Sequence, residues 1–86
     1  MASYKLLIRP SAARELEAVP AKHRSRIVAK IKGLAGNPRP PGSEKLSGEE
    51  KYRLRQGDYR VLCSIQDPST TVTIVKIRHR REVYRH

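Results

Sequence analysis

Between Tyr52 and Arg78 the chain reads as three strands separated by two short turns, and this stretch constrains everything around it. Lys51, Arg53 and Arg55 alternate with Tyr52 and Leu54, so an extended chain puts three cations on one face and the apolar pair on the other. Gly57-Asp58 marks a two-residue turn after the first strand, 52–56. A second strand spans 59–66, and after Asp67-Pro68-Ser69-Thr70 a third spans 71–78. Connections this short force an antiparallel meander. At roughly 3.3 Å per residue, Lys51 and Arg55 stand about 13 Å apart, enough to follow roughly two or three successive nucleic-acid phosphates. Arg60 returns the charge at the head of the second strand.

Upstream, Ser3 to Arg9 reads as a short strand, and Pro10 suits the first position of a helix. In a helix from Ser11 to about Val19, Ala12, Leu16 and Val19 share a face. Pro20 interrupts it and opens a second helix, to about Ala35. There Ile27, Val28, Ile31 and Leu34 have amphipathic spacing, with Lys22, Arg24, Arg26, Lys30 and Lys32 on the other side. Gly36-Asn37-Pro38 is a stop signal, a left-handed residue followed by a proline. Arg39 to Glu50 is a loop rich in Pro, Gly and Ser. The order β-α-α-β-β-β implies an α+β domain over residues 1–86: a small, antiparallel-dominated sheet with two helices packed on one face. The other face is left partly open for a basic site. With no Trp or Phe, the core must be aliphatic with Tyr at its edge.

A formal net charge of +11 on 86 residues points to polyanions, nucleic acid first and an acidic protein second. A membrane surface fits poorly, because no long helix pairs a basic face with bulky apolar anchors. No apolar run approaches the roughly 20 residues of a membrane span, and the N-terminus has no apolar signal segment. The lone Cys63 excludes an intrachain disulfide and a multi-cysteine zinc site, and fits a reducing cytoplasm. Its place in Val61-Leu62-Cys63-Ser64-Ile65 reads as a small buried filler. His23, His79 and His86 lack partners at metal-ligand spacing, so neither a metal nor another cofactor is expected.

What carries chemistry is a set of Arg, Lys, Tyr and His side chains in two segments, 45–60 and 78–84. A meander brings the end of its last strand near the start of the first two, so both segments can serve one site. Metal-free phosphoryl transfer needs cations to stabilise a phosphorane and groups to move protons. Arginine suits the first task, since its fork grips two phosphate oxygens and stays charged. Tyr84 and His79 suit the second. The competing reading is a solvated basic face with Tyr84 packing the C-terminus.

The residues "LEAVP", "LAGNPRPPG", "KLSG", "YRLRQGDYRVLCSI" and "IRHRREVYR", in this order, resemble the RelE branch of the RelE/ParE superfamily of type II toxins nearly end to end. The resemblance implies a microbial-RNase-like fold and a metal-free mRNA endonuclease working in the A site of the small ribosomal subunit, against rRNA. There the mRNA 2′-OH would attack the neighbouring phosphate. It also implies a cognate RelB-like antitoxin, whose complex with the toxin binds operator DNA through the antitoxin. Residue by residue, Arg60 matches the transition-state-stabilising arginine after Gly-Asp-Tyr. Arg80 matches the arginine of the His-Arg motif, and Tyr84 the tyrosine that stacks on or orients the nucleotide. Lys45, Lys51, Arg53, Arg55, Arg78, His79 and Arg81 are expected to grip RNA and phosphate. Arg53 and Arg55 fall where the best-known member has lysines, one of them proposed as general base. Because arginine does not give up its proton, the base lies elsewhere, among Tyr84, His79, Lys51 and Lys45. Two other functions compete: a ParE-like gyrase poison that acts by binding, and a non-toxic antitoxin-binding relic.

Overall fold

A computed structural model describes residues 3–46 and 51–83, with side chains through Arg81. The elements are β1 (Lys5–Ile8), α1 (Pro10–Glu17), α2 (Ala21–Gly33), β2 (Glu44–Lys45), β3 (Lys51–Gln56), β4 (Tyr59–Gln66), β5 (Thr71–His79) and α3 (Arg80–Val83). They build one mixed sheet in the order β1-β5-β4-β3-β2, antiparallel except where β1 pairs with β5. The expected α+β architecture is therefore present. The two-residue β2 and the short α3 add to the six elements read from the sequence.

Proline punctuation sets the helices. Arg9, held extended (φ −68°, ψ 146°) as a residue before proline must be, leads into Pro10 at the start of α1. Pro20 ends the α1 corner and its carbonyl accepts the first N–H groups of α2, from His23 and Arg24. The Arg24 side chain reaches back to the carbonyls of Glu17 (3.1 Å) and Val19 (3.4 Å), satisfying acceptors that the end of α1 leaves open. The exit from α2 differs from the left-handed cap expected at Gly36. Leu34, Ala35 and Gly36 each donate to the carbonyl three residues back, and these tight turns satisfy the last carbonyls without a positive φ.

One face of the sheet carries the core. Tyr52, Leu54, Val61, Cys63, Ile65, Val72, Ile74 and Ile77 meet Ala12, Val19, Ile27 and Leu34 from the helical side. Full burial of each large aliphatic side chain contributes about 1.5–3 kcal/mol, the main force holding the helices to the sheet. β1 expresses its alternation weakly. Leu6 packs against the core, but Leu7 (44% exposed) and Ile8 (41%) do not, because β1 is an edge strand with one neighbour.

β5 holds the feature that orients the site. Cys63 pairs with Ile74 and Leu62 with Lys76, so Val75 is an extra residue, a β-bulge. Strict alternation from the inward Ile74 would turn Lys76 and Arg78 into the core. The bulge resets the phase: Ile77 is buried and Arg78 comes to the open face, opposite Arg60.

Candidate functional site

Arg55 on β3, Arg60 on β4 and Arg78 on β5 lie in register, forming a row across the open face beside the β3–β4 turn. Directly opposed side chains start about 5 Å apart, so such a row repels itself unless anions enter it. Gly57, at φ +60°, permits the tight two-residue turn that aligns Arg55 with Arg60. Arg55 and Arg60 form no ion pair with any described residue. The Arg60 guanidinium makes only a long bond (3.4 Å) to the Tyr59 carbonyl. Arg78 is different: its guanidinium is paired with the Glu15 carboxylate of α1.

Beside this row is a cleft of about 520 Å³ lined by Lys30, Pro41, Gly42, Glu44, Arg53, Leu54, Arg55 and Arg60. Four of those residues are cations and one is an acid. Glu44 pairs with Arg53 at 3.4 Å, while the buried Arg53 Nε has no partner among the described residues. A phosphate entering here meets guanidinium groups whose charge Glu44 offsets only once. The arrangement suits a polyanion strand better than a small neutral ligand.

The wall at Pro41 and Gly42 is fixed from behind. Arg39 grips Asp67 with both terminal nitrogens (3.1 and 2.9 Å), donates through Nε to the Tyr52 hydroxyl (3.0 Å) and lies over the Tyr52 ring. Tyr4 donates to the same Asp67 (2.7 Å). The clamp ties the loop after α2 to β3, to the β4–β5 turn and to the chain entering β1. The Arg39 hydrogen bonds hold the Asp67 carboxyl below its ordinary range, and the bond to Asp67 raises Tyr4. Arg39 itself is raised, by Asp67 first and Tyr52 second.

The residues expected from the sequence fall into separate groups. Arg53, Arg55 and Arg60 lie together at the cleft. Arg80 follows β5 and is held at the β3–β4 turn, its N–H donating to the Asp58 carbonyl (2.6 Å) and its guanidinium 3.7 Å from the Asp58 carboxylate. Lys51 is at the far end of β3, in register with Ser64, and Lys45 pairs with Tyr52 at the outer edge. Neither shares the Arg55–Arg60 row. His79 is opposite Tyr59 on the helical side, edge-on to its ring at 5.2 Å. Its Nδ1 accepts the Arg81 N–H (3.2 Å). The Arg81 side chain is exposed at the start of α3. Tyr84 lies outside the described residues. Among those residues no three or more His, Cys, Asp or Glu side chains converge as a metal-binding group, and no helix is long and apolar enough to cross a membrane.

Sequence reasoning missed Lys30, Glu44, Glu15 and the Arg39–Asp67 clamp. Lys30 was legible only as one of several cations on the polar side of a helix. Pairs such as Arg39 with Asp67, far apart in the chain, leave no periodic trace.

Residues 6–84 match the family model described as the ParE toxin of a type II toxin–antitoxin system, parDE. This chain belongs to the RelE/ParE superfamily of type II toxins. Toxin RelG of Mycobacterium tuberculosis is 44% identical to this superfamily member over 34 residues, which span 40% of the chain and 39% of that relative. The toxin in the crystal structure of the toxin–antitoxin complex RelBE2 from M. tuberculosis superposes with a TM-score of 0.81 at 30% identity, over 93% of this chain and 94% of its own. A chain in the archaeal RelE–RelB complex from Pyrococcus horikoshii gives 0.80 at 26% identity, over 91% and 96%. The intact Escherichia coli RelBE complex, at 19% identity and a TM-score of 0.77, shares the fold.

Proposed function

We propose that this toxin is a metal-independent endoribonuclease that cuts mRNA in the ribosomal A site, and that a cognate RelB-like antitoxin neutralises it. The observation that carries the reading is the Arg55–Arg60 pair, in register and ion-paired with no described residue, at the edge of a cleft that Lys30 and Arg53 also line. In the proposed reaction the RNA 2′-OH loses its proton and attacks the adjacent phosphorus. The bond to the 5′-oxygen breaks, leaving a 2′,3′-cyclic phosphate, and the departing 5′-oxygen takes up a proton to become a hydroxyl. Arg60 stabilises the charge that builds on the non-bridging oxygens, and Arg80 assists from the β3–β4 turn. Arg53 and Arg55 grip neighbouring phosphates, and Lys51 and Lys45 extend the cationic track toward rRNA. Tyr84 stacks on or orients the nucleotide and helps to move the proton. The RelB-bound relatives support an antitoxin partner, which would also carry the complex to operator DNA in the cytoplasm.

The family description favours a second reading, a gyrase poison of the ParE type that acts by binding. Primer extension on a defined mRNA, with and without ribosomes, separates the two. Cuts at fixed codon positions that require ribosomes support the endonuclease. Intact mRNA together with accumulated double-strand DNA breaks refutes it in favour of the gyrase reading.

A further inference from the structure

One carboxylate meets the arginine row from the scaffold side. β1 stops at Ile8, opposite Ile74, so the stretch of β5 beyond it has no strand on that side and needs other acceptors for its N–H groups. α1 supplies one. Ala12, fully buried, seats α1 on the core, and Glu15, three residues on, shares that side of the helix. The Glu15 carboxylate accepts the Ile77 N–H (2.9 Å) through Oε1, while Oε2 holds the Arg78 guanidinium. Glu15 is 23% exposed, against 67% for Glu44 and 59% for Asp58, the other carboxylates paired with arginines of the site. The bonds that Arg78 makes among the described residues, to Glu15 and to the Ile77 carbonyl (3.4 Å), both use Nη1. That leaves the edge formed by Nε and Nη2, whose parallel N–H groups match two oxygens of a phosphate.

We propose that Glu15 is a positioning residue: it fixes the Arg78 guanidinium from behind, so that the remaining edge is presented to an RNA phosphate beside Arg60. This rests on the reading of the cationic face as an RNA-cleaving site. Arg78 and Arg60 are directly opposed on β5 and β4, and like charges so placed push each other apart. Without an anchor, Arg78 would turn away from Arg60 and would have to be immobilised during RNA binding. Glu15 offsets the repulsion and settles the side chain before RNA arrives, so the donor needs no reorganisation as charge builds on the phosphate. The same carboxylate cancels one positive charge of the face. Glu15 therefore raises the rate of the cut without strengthening the initial hold on RNA.

The test has two readouts on the wild type and Glu15→Gln, which keeps an oxygen for the Ile77 N–H but offers Arg78 a donor in place of a carboxylate oxygen. The first is the Arg78 Nε–H signal in proton–nitrogen NMR of the free toxin, identified by its absence in Arg78→Lys. It should report an ordered guanidinium in the wild type and a mobile one in Glu15→Gln. The second is single-turnover cleavage of a defined mRNA on ribosomes across a range of toxin concentrations. Glu15→Gln should lower the maximal rate by about ten- to a hundred-fold, the scale of a ~1 Å misplacement. Its half-saturating concentration should be no higher than the wild type's, since the variant carries one more net positive charge. A merely structural role would not separate rate from half-saturation in this way. An unchanged maximal rate in Glu15→Gln overturns the proposal, and so does a mobile Arg78 in the wild type. If Glu15→Gln does not fold, the order of Arg78 in the wild type decides alone. A wild-type protein that leaves ribosome-bound mRNA intact refutes the endonuclease reading itself, whereas one that cuts, beside an unimpaired Glu15→Gln, refutes only the role of Glu15.

Discussion

Truncating Ile27 to alanine should release α2 from the sheet. Ile27 is fully buried in the core, and α2 also carries Lys30 to the cleft and sets His23 against Tyr59 (5.7 Å). The substitution removes three carbons, about 2.4 kcal/mol at ~0.8 kcal/mol each. The cavity left between helix and sheet raises the cost to about 3–4 kcal/mol, within the roughly 2–5 kcal/mol typical of such truncations. A chain of 86 residues is stable by about 4–13 kcal/mol, so the loss is a large fraction of the whole. At about 4–8 °C per kcal/mol for a domain of this size, the melting midpoint should fall by at least ~12 °C. Thermal circular dichroism and urea titration measure both quantities, with an unchanged m-value required for the comparison. A loss below about 1 kcal/mol would mean that α2 is not seated on the sheet through Ile27, and the helix-on-sheet account would fail.

Asp67→Asn should flatten the acid limb of the stability curve. Arg39 depresses the Asp67 carboxyl, so its contribution is present above the ordinary carboxylate range and is lost as pH falls through the depressed value. Tyr4 is raised, so its contribution holds below the ordinary tyrosine value and fades as pH rises through the elevated one; Tyr4→Phe should blunt the alkaline limb. Cys63, buried and with its thiol pushed up to about 11, should resist alkylation at neutral pH until the protein unfolds, as mass spectrometry would show; rapid labelling of the native protein would contradict its burial. Arg60→Ala should abolish growth arrest with little change in melting temperature. Lys51→Ala, at the far end of β3, should weaken it less, and the reverse order would move the site away from the Arg55–Arg60 row.

The sheet was legible because the meander is local. Lys51 to Arg60 encodes its own alternation and its own turn, so strand limits and facing followed from period two and one glycine. The helices followed from Pro10, Pro20 and the spacing of Ile27, Ile31 and Leu34. What the sequence hid is long-range or silent in pattern. Glu15 reaches β5 because β1 happens to end at Ile8, and Arg39 finds Asp67 only once the loop after α2 folds over the sheet. The left-handed cap expected at Gly36 failed because tight turns satisfied the same carbonyls by another route. The site was half legible. Arg53, Arg55 and Arg60 could be placed by periodicity, whereas His79 turned to the helical side because the bulge upstream changed the count.

That bulge makes β5 behave as two strands spliced end to end. Up to Ile74 it answers to β1; from Lys76 onward it answers to α1, still burying Ile77 in the core while its outer face turns Arg78 to the site. Val75 is the joint, the one residue the ladder does not use. Loss of Val75 would leave Lys76 opposite Leu62 and Arg78 opposite Arg60, so the partners would survive the shortening. A single residue lost or gained elsewhere in the strand would exchange its inner and outer faces. The chain therefore carries its spare length at the boundary between scaffold and site, where a change of length can alter the angle at which Arg78 is presented without turning it into the core.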